Sequence, residues 1–178
     1  MLLKSAFALA LLASSAAASG IKIEVAGEGA NGTITIDLFE DIAPNHAERI
    51  STLAAEGAYD GVVFHRVISG FMAQTGDVVH GREGGNIFLA GTGGSEYGML
   101  KQEFSNTPFD RGVVGMARSS EVDSANSQFF IMFAPGHFLN GNYTVVGQVT
   151  EGLDVLDQIS RGEPPASPDV MKTVTPTE

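Results

Sequence analysis

A single cation close to bulky apolar residues is the feature of this sequence best suited to chemistry. Arg66 lies in the stretch FHRVISGFMAQTGD. It is followed by three residues that could line a pocket, Phe71, Met72 and Gln74. A guanidinium is always charged and holds its N–H donors in a rigid fork, so it can stabilise charge that develops on a substrate atom. The alternative is a core hairpin with a solvated arginine, because arginines are mostly exposed in folded proteins.

Two short strands, over residues 62–68 and 71–75, must position these side chains. The Ser-Gly pair between them is typical of a turn, so the pattern predicts a hairpin. Because alternate residues of a strand share a face, we expect Phe64, Arg66 and Ile68 to point the same way.

Length and composition indicate one globular domain built mostly from short strands. The chain has 178 residues, with 43% hydrophobic residues, 17% charged residues and 22 glycines. A chain of this size buries a substantial core, and many glycines with few charges favour strands and tight turns. The formal charge of −11 argues against a nucleic-acid partner, since phosphate binding requires a basic face. The absence of cysteine excludes disulfides, thiolate metal sites and a cysteine nucleophile.

The N-terminal residues predict export. Lys4 precedes an apolar run over residues 6–13 that is too short to span a bilayer, and the alanines that follow supply the small residues that a signal peptidase requires. We therefore expect a signal peptide over residues 1–18 and a domain over residues 19–178. A short, alanine-rich signal is typical of bacteria, so the mature protein is expected to be periplasmic or secreted, without stable membrane insertion. The alternative is an N-terminal membrane anchor.

Two glycine-rich stretches and four histidines carry no recognised cofactor or metal chemistry. A match to G-x-G-x-x-G begins at Gly27, but a clean strand pattern follows where a dinucleotide site needs a helix. The loop over residues 80–98 lacks the G-K-[ST] ending of a phosphate loop and is expected to shape a binding surface. The histidines show no short ligand spacing, so we expect no metal and no cofactor. His65, beside Arg66, is expected to be a packed core histidine.

Strand and helix patterns follow one another without a linker or a repeat. The strand patterns cover residues 21–25, 33–39, 62–68, 71–75, 112–117, 127–133, 143–149 and 170–174. One helix pattern begins at Pro44 and ends at Gly57, and a second includes Leu153 and ends at Gly162. Many antiparallel strands in one domain favour a closed barrel, since closure removes exposed sheet edges. The prediction is a mainly β fold, an eight-stranded antiparallel closed β-barrel capped at its ends by two α-helices.

Four stretches of the chain resemble the cyclophilins, the cyclosporin-type peptidyl-prolyl isomerases. They are FHRVISGFMAQTGD, GVVGMARSS, NSQFFIMFA and FLNGNYTVVGQV, and they occur in the order that the family has. The likeness extends over nearly all of the mature chain. It implies an eight-stranded antiparallel barrel capped by two helices, with the site on its outer face.

The resemblance also implies which residues form that site. Arg66 matches the catalytic arginine, and Ala117 lies on the segment along which the peptide runs. The proline pocket is matched by Phe71, Met72, Phe130 and Leu139. Polar groups around the substrate backbone are matched by Gln74 and Gln128. Gln74 could either position the guanidinium or hold a substrate carbonyl.

Three positions depart from the eukaryotic members. Phe138 stands where the cyclosporin-sensitive members carry Trp, Tyr143 where they carry His, and Arg118 where they carry Asn. These choices resemble the bacterial periplasmic members. Phe138 has no indole N–H to donate to a ligand, so weak or no cyclosporin binding is expected.

The function that these observations predict is isomerisation of X–Pro peptide bonds during the folding of exported proteins. The expected partners are proline-containing peptides and unfolded exported proteins, and a monomer is expected. One alternative is a proline-directed binding module or holdase with little turnover. A second is a plain secreted β-barrel scaffold, which would not bind proline-containing peptides.

Overall fold

The computed structural model describes residues 19–177, which form nine strands, two α-helices and two 3₁₀ turns. The strands are β1 Gly20–Ala26, β2 Gly32–Leu38, β3 Val62–Val63, β4 Arg66–Ile68, β5 Met72–Thr75, β6 Val113–Met116, β7 Phe129–Met132, β8 Val145–Glu151 and β9 Val170–Thr177. The helices are α1 Pro44–Ala55 and α2 Leu153–Gln158, and the 3₁₀ turns are Ile87–Leu89 and His137–Leu139. The predicted signal peptide lies outside the described residues. No helix within residues 19–177 is long and apolar enough to cross a membrane.

All nine strands belong to one antiparallel sheet with the order β3-β9-β1-β2-β8-β6-β7-β5-β4. Its two outermost strands, β3 and β4, are consecutive in the chain and are separated by only Phe64 and His65. The chain therefore passes from one edge of the sheet to the other across two residues, so the sheet is curled, and no ladder joins β3 to β4 in the described part of the chain. Closure into a barrel stays a prediction.

The predicted strand over residues 62–68 is thus two strands, which makes the count nine and not eight. The division occurs because β3 pairs with β9 whereas β4 pairs with β5, at the opposite edge of the sheet. The expectation that Phe64 and Ile68 share a face is wrong for the same reason. Phe64 is fully buried in the inner core, and Ile68 packs against the apolar layer on the outer face.

The sheet is apolar on both faces where it carries the site. In β7, Phe129 and Ile131 point into the inner core, while Phe130 and Met132 belong to the outer layer. The continuous apolar run of this strand is explained by burial on both faces, because successive strand residues alternate between them. The outer layer therefore forms an apolar floor that is open to ligands.

The two helices cover parts of the inner core. The proline at the first turn of α1 costs no hydrogen bond there, and the predicted apolar positions of this helix, Ala47, Ile50, Leu53 and Ala54, are buried. Helix α1 packs on β9, β1 and β8, and α2 packs on β2. Helix α2 ends at Gln158, earlier than the predicted Gly162. That the helices cap two open ends stays a prediction.

Candidate active site

A groove of about 280 Å³ on the outer face brings together ten of the eleven residues that the sequence singled out. Its lining consists of Arg66, Phe71, Met72, Gln74, Ala117, Arg118, Phe130, Phe138, Leu139 and Tyr143. They come from β4, β5, β7 and the 3₁₀ turn His137–Leu139, together with the turn between β4 and β5 and the loops that follow β6 and the 3₁₀ turn. The eleventh residue, Gln128, lies next to the groove in a second cavity.

The floor of the groove is apolar and rigid. Met72, Phe130 and Leu139 are buried in the outer layer. The ring of Phe130 stacks on the buried ring of Phe109, with their centroids 5.7 Å apart. Phe109 supports the pocket from below without lining it, and no sequence motif pointed to it. A pocket of this kind binds a small apolar ring by removing it from water.

Aromatic side chains form the rim. Phe138 is 72% exposed and lies against Phe71, with ring centroids 5.4 Å apart. Across the floor, the ring of Tyr143 meets Phe130 edge to face at 5.8 Å. Tyr143 and Phe138 therefore restrict how a bound ring is placed above Phe130.

Arg118 is held in a wall between the groove and the second cavity. Its guanidinium lies 4.5 Å from the ring centre of Tyr143 and donates to the backbone oxygens of Asn142 at 2.8 Å and Ser119 at 2.9 Å. With further bonds from Nε to Asn142 and from Nη1 to Ser120, these contacts occupy most of its donors within the protein. Arg118 is thus a fixed part of the wall, and Arg66 is the cation more available to a ligand.

Arg66 sits at the edge of the groove, opposite Gln74 in the β4–β5 ladder. Its side chain is 42% exposed, and its Nε donates to Oε2 of Glu163 at 2.8 Å. Within residues 19–177 no hydrogen bond joins Gln74 to this guanidinium, and the Nε2 of Gln74 donates instead to Oε1 of Gln128 at 3.0 Å. Of the two roles left open for Gln74, positioning Arg66 is therefore not the one observed. The guanidinium contacts Glu163 instead, and no local sequence pattern indicated that contact.

The second cavity, of about 370 Å³, adjoins the groove and shares Gln74, Ala117 and Arg118 with it. Gln128 lines this cavity, and its Nε2 donates to the backbone oxygen of Gly93 at 2.8 Å. Residues 91–95 of the glycine-rich loop line this cavity, as expected of a loop that shapes a binding surface.

Asp77 organises that loop from within. It is fully buried, and its carboxylate accepts four backbone N–H groups, from Val79, His80, Gly91 and Gly93, at 2.8 to 3.1 Å. Burial by itself raises the pKa of Asp77, but the four hydrogen bonds outweigh it and hold the pKa below its usual range. An ionised carboxylate therefore fixes the loop beside Gln128.

His65 adds no charge to the site at neutral pH. It is buried, as the sequence predicted, and burial lowers its pKa from the usual value near 6.5. Neutral at pH 7, the imidazole leaves Arg66 and Arg118 as the cations of the groove.

Comparison with known proteins places nearly the whole described chain in one group. A family model described as cyclophilin type peptidyl-prolyl cis-trans isomerase matches residues 21–176. A probable peptidyl-prolyl cis-trans isomerase from Brucella suis is 57% identical over 134 residues, which cover 74% of this chain and 68% of the relative. Peptidyl-prolyl cis-trans isomerase B from Bacillus subtilis is 40% identical over 143 residues, 79% of this chain and 88% of the relative.

The fold has a similar counterpart among solved structures. A cyclophilin type peptidyl-prolyl cis-trans isomerase from Cryptosporidium parvum, determined in the presence of the dipeptide Ala-Pro, superposes with a TM-score of 0.74. The two chains are 27% identical, and the match covers 89% of this chain and 99% of the other.

Proposed function

Since this chain belongs to the cyclophilin-type peptidyl-prolyl cis-trans isomerases, we propose that the groove on its outer face is where it rotates X–Pro bonds and that Arg66 is the catalytic residue. The observation that carries the proposal is that the half-exposed guanidinium of Arg66 shares a small groove with a buried apolar floor. The apolar floor can hold a proline ring, and the guanidinium can donate to the peptide bond that precedes it.

The chemistry asks for resonance to be weakened and for no covalent bond to be broken. Amide resonance opposes rotation with a barrier of about 18–20 kcal/mol. At X–Pro the two isomers differ by only about 0.5–1 kcal/mol, yet uncatalysed exchange takes roughly tens to hundreds of seconds. In the twisted transition state the proline nitrogen regains its lone pair and becomes a strong hydrogen-bond acceptor. A donor that meets it only then lowers the barrier, because it binds the transition state better than either ground state.

The residues of the groove divide this work. Met72, Phe130 and Leu139 hold the pyrrolidine ring by burial, so that the ring stays while the preceding carbonyl turns. The guanidinium of Arg66 donates to the proline nitrogen as it becomes an acceptor. The amides of Gln74 and Gln128, already hydrogen-bonded to each other, hold the substrate backbone. The Ala-Pro dipeptide with the Cryptosporidium parvum relative supports a proline-containing ligand for this groove.

The rival reading is a proline-directed binding module or holdase that has the same groove but little need for turnover. It predicts peptide binding without accelerated exchange. A plain β-barrel scaffold would show neither peptide binding nor accelerated exchange. NMR exchange spectroscopy on an X–Pro peptide with the mature chain separates the isomerase, the binding module and the scaffold.

We further propose that the mature protein acts outside the cytoplasm of a bacterium, on exported proteins. The composition of residues 1–18 supports this placement. Fused to an alkaline phosphatase that lacks its own signal, residues 1–18 are expected to make the reporter active in the periplasm of a bacterial host, with cleavage after Ala18. Replacing the apolar run 6–13 with a polar sequence should abolish the activity. A reporter that stays cytoplasmic with the intact segment would contradict the placement.

Weak cyclosporin binding also belongs to the proposal. Phe138 is exposed on the rim, and its ring carries no donor. Phe138→Trp adds an indole N–H at that rim, so we expect cyclosporin to inhibit turnover about three- to tenfold more tightly, the worth of one added hydrogen bond. The measurement is inhibitor titration of both proteins at equal activity, with Phe88→Trp as the control for a tryptophan at another exposed site. Equal inhibition of wild type and Phe138→Trp would show that Phe138 does not limit binding.

A further inference from the structure

Glu163 is bound to the residue on which catalysis depends, although the two lie 97 positions apart. Its Oε2 accepts from Nε of Arg66 at 2.8 Å, and both side chains are about half exposed. Within residues 19–177 this is the one hydrogen bond that the guanidinium of Arg66 makes. The proposed catalytic cation, Arg66, is therefore held by a carboxylate from a distant part of the sequence.

The backbone brings Glu163 to this position. Val67 and Gly162 form an isolated antiparallel bridge, with N···O distances of 2.8 Å and 2.9 Å in the two directions. In an antiparallel bridge the residue after one partner faces the residue before the other. Glu163, which follows Gly162, is therefore set opposite Arg66, which precedes Val67. Gly162 has a φ of +148°, and a Cβ there would lie 2.5 Å from Cα of Pro165. A residue other than glycine would disturb the turn that presents Glu163.

The segment that carries Glu163 is anchored on both sides of the bridge. On one side, Arg161 lies over the ring of Phe133, with its guanidinium carbon 4.0 Å from the ring centre. On the other, the buried carboxylate of Asp169 accepts from the backbone N–H groups of Ser160 at 2.7 Å and Ala30 at 3.0 Å. Glu163 is thus presented by a segment whose backbone is anchored before a substrate arrives.

Glu163 binds the Nε–H of Arg66 and neither Nη group, which determines the donors that remain for the substrate. A guanidinium has five N–H donors in one plane, and Nε–H contributes only one of them. Fixing Nε–H removes rotation of the plane and leaves the donors on the two Nη atoms for the groove. We propose that Glu163 is a positioning residue, which orients the Arg66 guanidinium so that its Nη donors meet the twisted proline nitrogen. This inference rests on the proposed role of Arg66.

The contact affects rate more than stability. Exposed ion pairs contribute little to folding, so loss of Glu163 should leave the melting temperature nearly unchanged. An arginine without this contact explores more rotamers and must be ordered in the transition state, which lowers the rate of turnover. Because the substrate is held mainly by the apolar floor, the affinity for peptide should change far less than the rate on the enzyme.

The experiment compares Glu163→Ala, Glu163→Gln and a matched control, Glu83→Gln. Glu83 forms an exposed ion pair of the same 2.8 Å length with Lys172, and it does not line the groove. Glu83→Gln therefore changes the net charge as Glu163→Gln does. Exchange of an X–Pro peptide is measured by NMR, together with the peptide Kd and the Nε–Hε resonance of Arg66, which is identified by its loss in Arg66→Ala.

We expect Glu163→Ala to lower the exchange rate on the enzyme about tenfold and Glu163→Gln about threefold, with Kd changed less than twofold. Gln keeps an oxygen that accepts from Nε–H but lacks the charge, which accounts for partial retention. The Nε–Hε resonance of Arg66 should shift in both Glu163 variants and stay in place in Glu83→Gln. In an Arg66→Ala background, Glu163→Ala should have no further effect.

Two outcomes would overturn the positioning role of Glu163, and a third would overturn the catalytic role of Arg66. Exchange in Glu163→Ala equal to that in Glu83→Gln, while Arg66→Ala is inactive, would remove the positioning role alone. Faster exchange in Glu163→Ala would show that the carboxylate competes with substrate for the guanidinium. Full exchange in Arg66→Ala itself would instead refute the catalytic role of Arg66 in the proposed function, and with it the reason for Glu163 to act.

Discussion

Replacing Arg66 with alanine is expected to lower kcat/KM for X–Pro exchange by about 10²–10³-fold, the loss found when one preorganised donor to a transition state is removed. In the proposed mechanism the guanidinium supplies the donor to the proline nitrogen, whereas the apolar floor keeps its contacts in the variant. Binding of a proline-containing peptide should therefore persist. The melting temperature should change little, because Arg66 is substantially exposed and its ion pair is a surface contact.

Two further variants sharpen this test. Arg66→Lys retains the charge but loses the planar fork and the Nε–H that Glu163 accepts, so we expect it to recover only a small part of the activity. Lys172→Ala removes a cation from an ion pair of equal length and similar exposure elsewhere on the surface, and it should be fully active. NMR exchange of an X–Pro peptide at matched protein concentration provides the rates. Turnover that survives in Arg66→Ala would show that the assigned mechanism is wrong, and binding without turnover in the wild type would favour the holdase.

Local patterns in the sequence predicted most of the secondary structure because they reflect local physics. The helical spacing of Ala47, Ile50 and Leu53 corresponds to the buried face of α1, and proline at its first turn marks where it begins. The division of residues 62–68 had no such local sign. That strand breaks because its first half pairs with β9, more than a hundred residues later, and its second half with β5.

The site shows the same division between what is local and what is not. The motifs that resemble the cyclophilins predicted ten residues that line one groove, since each motif contributes a strand or turn to that face. Phe109, which supports Phe130, and Glu163, which holds Arg66, lie outside those motifs. A buried aromatic ring and an acidic residue in a turn are each common in any chain. Their importance arises from tertiary contacts, which one sequence does not display.

Asp77→Ala is expected to have the largest effect on stability. It would leave the backbone N–H groups of four partly exposed loop residues without the buried carboxylate that accepts from them. A hydrogen bond to a charged group contributes about 1.5–3 kcal/mol, and because water can reach these donors in the variant, we expect a total loss of about 3 kcal/mol in the free energy of unfolding. For a chain of this size that lowers Tm by roughly 6–12 °C. Asp77→Asn should cost less, because one oxygen still accepts while its amide N–H groups face backbone donors.

This loss should reach the groove through a chain of contacts. Gly93 donates to Asp77, its own backbone oxygen accepts from Gln128, and Gln128 accepts from Gln74. With the loop released, the two glutamines lose their fixed arrangement, so we expect weaker peptide binding at temperatures where the variant is still folded. The control is Asp123→Asn, an exposed aspartate that accepts one backbone N–H at 2.9 Å and should change stability by no more than about 0.5 kcal/mol.

The pH dependence gives the role of Asp77 a second, independent readout. The pKa of Asp77 is lowered in the folded state, so its contribution to stability is complete above the unfolded pKa of about 3.9 and is lost as pH falls through the lower folded value. The stability difference between wild type and Asp77→Asn should therefore be constant from about pH 7 to pH 5 and should shrink below about pH 4. Urea unfolding at a series of pH values measures it. A difference that stays constant down to pH 3, or that shrinks between pH 7 and pH 5, would mean that the charge of Asp77 does not hold the loop and that its shape alone does.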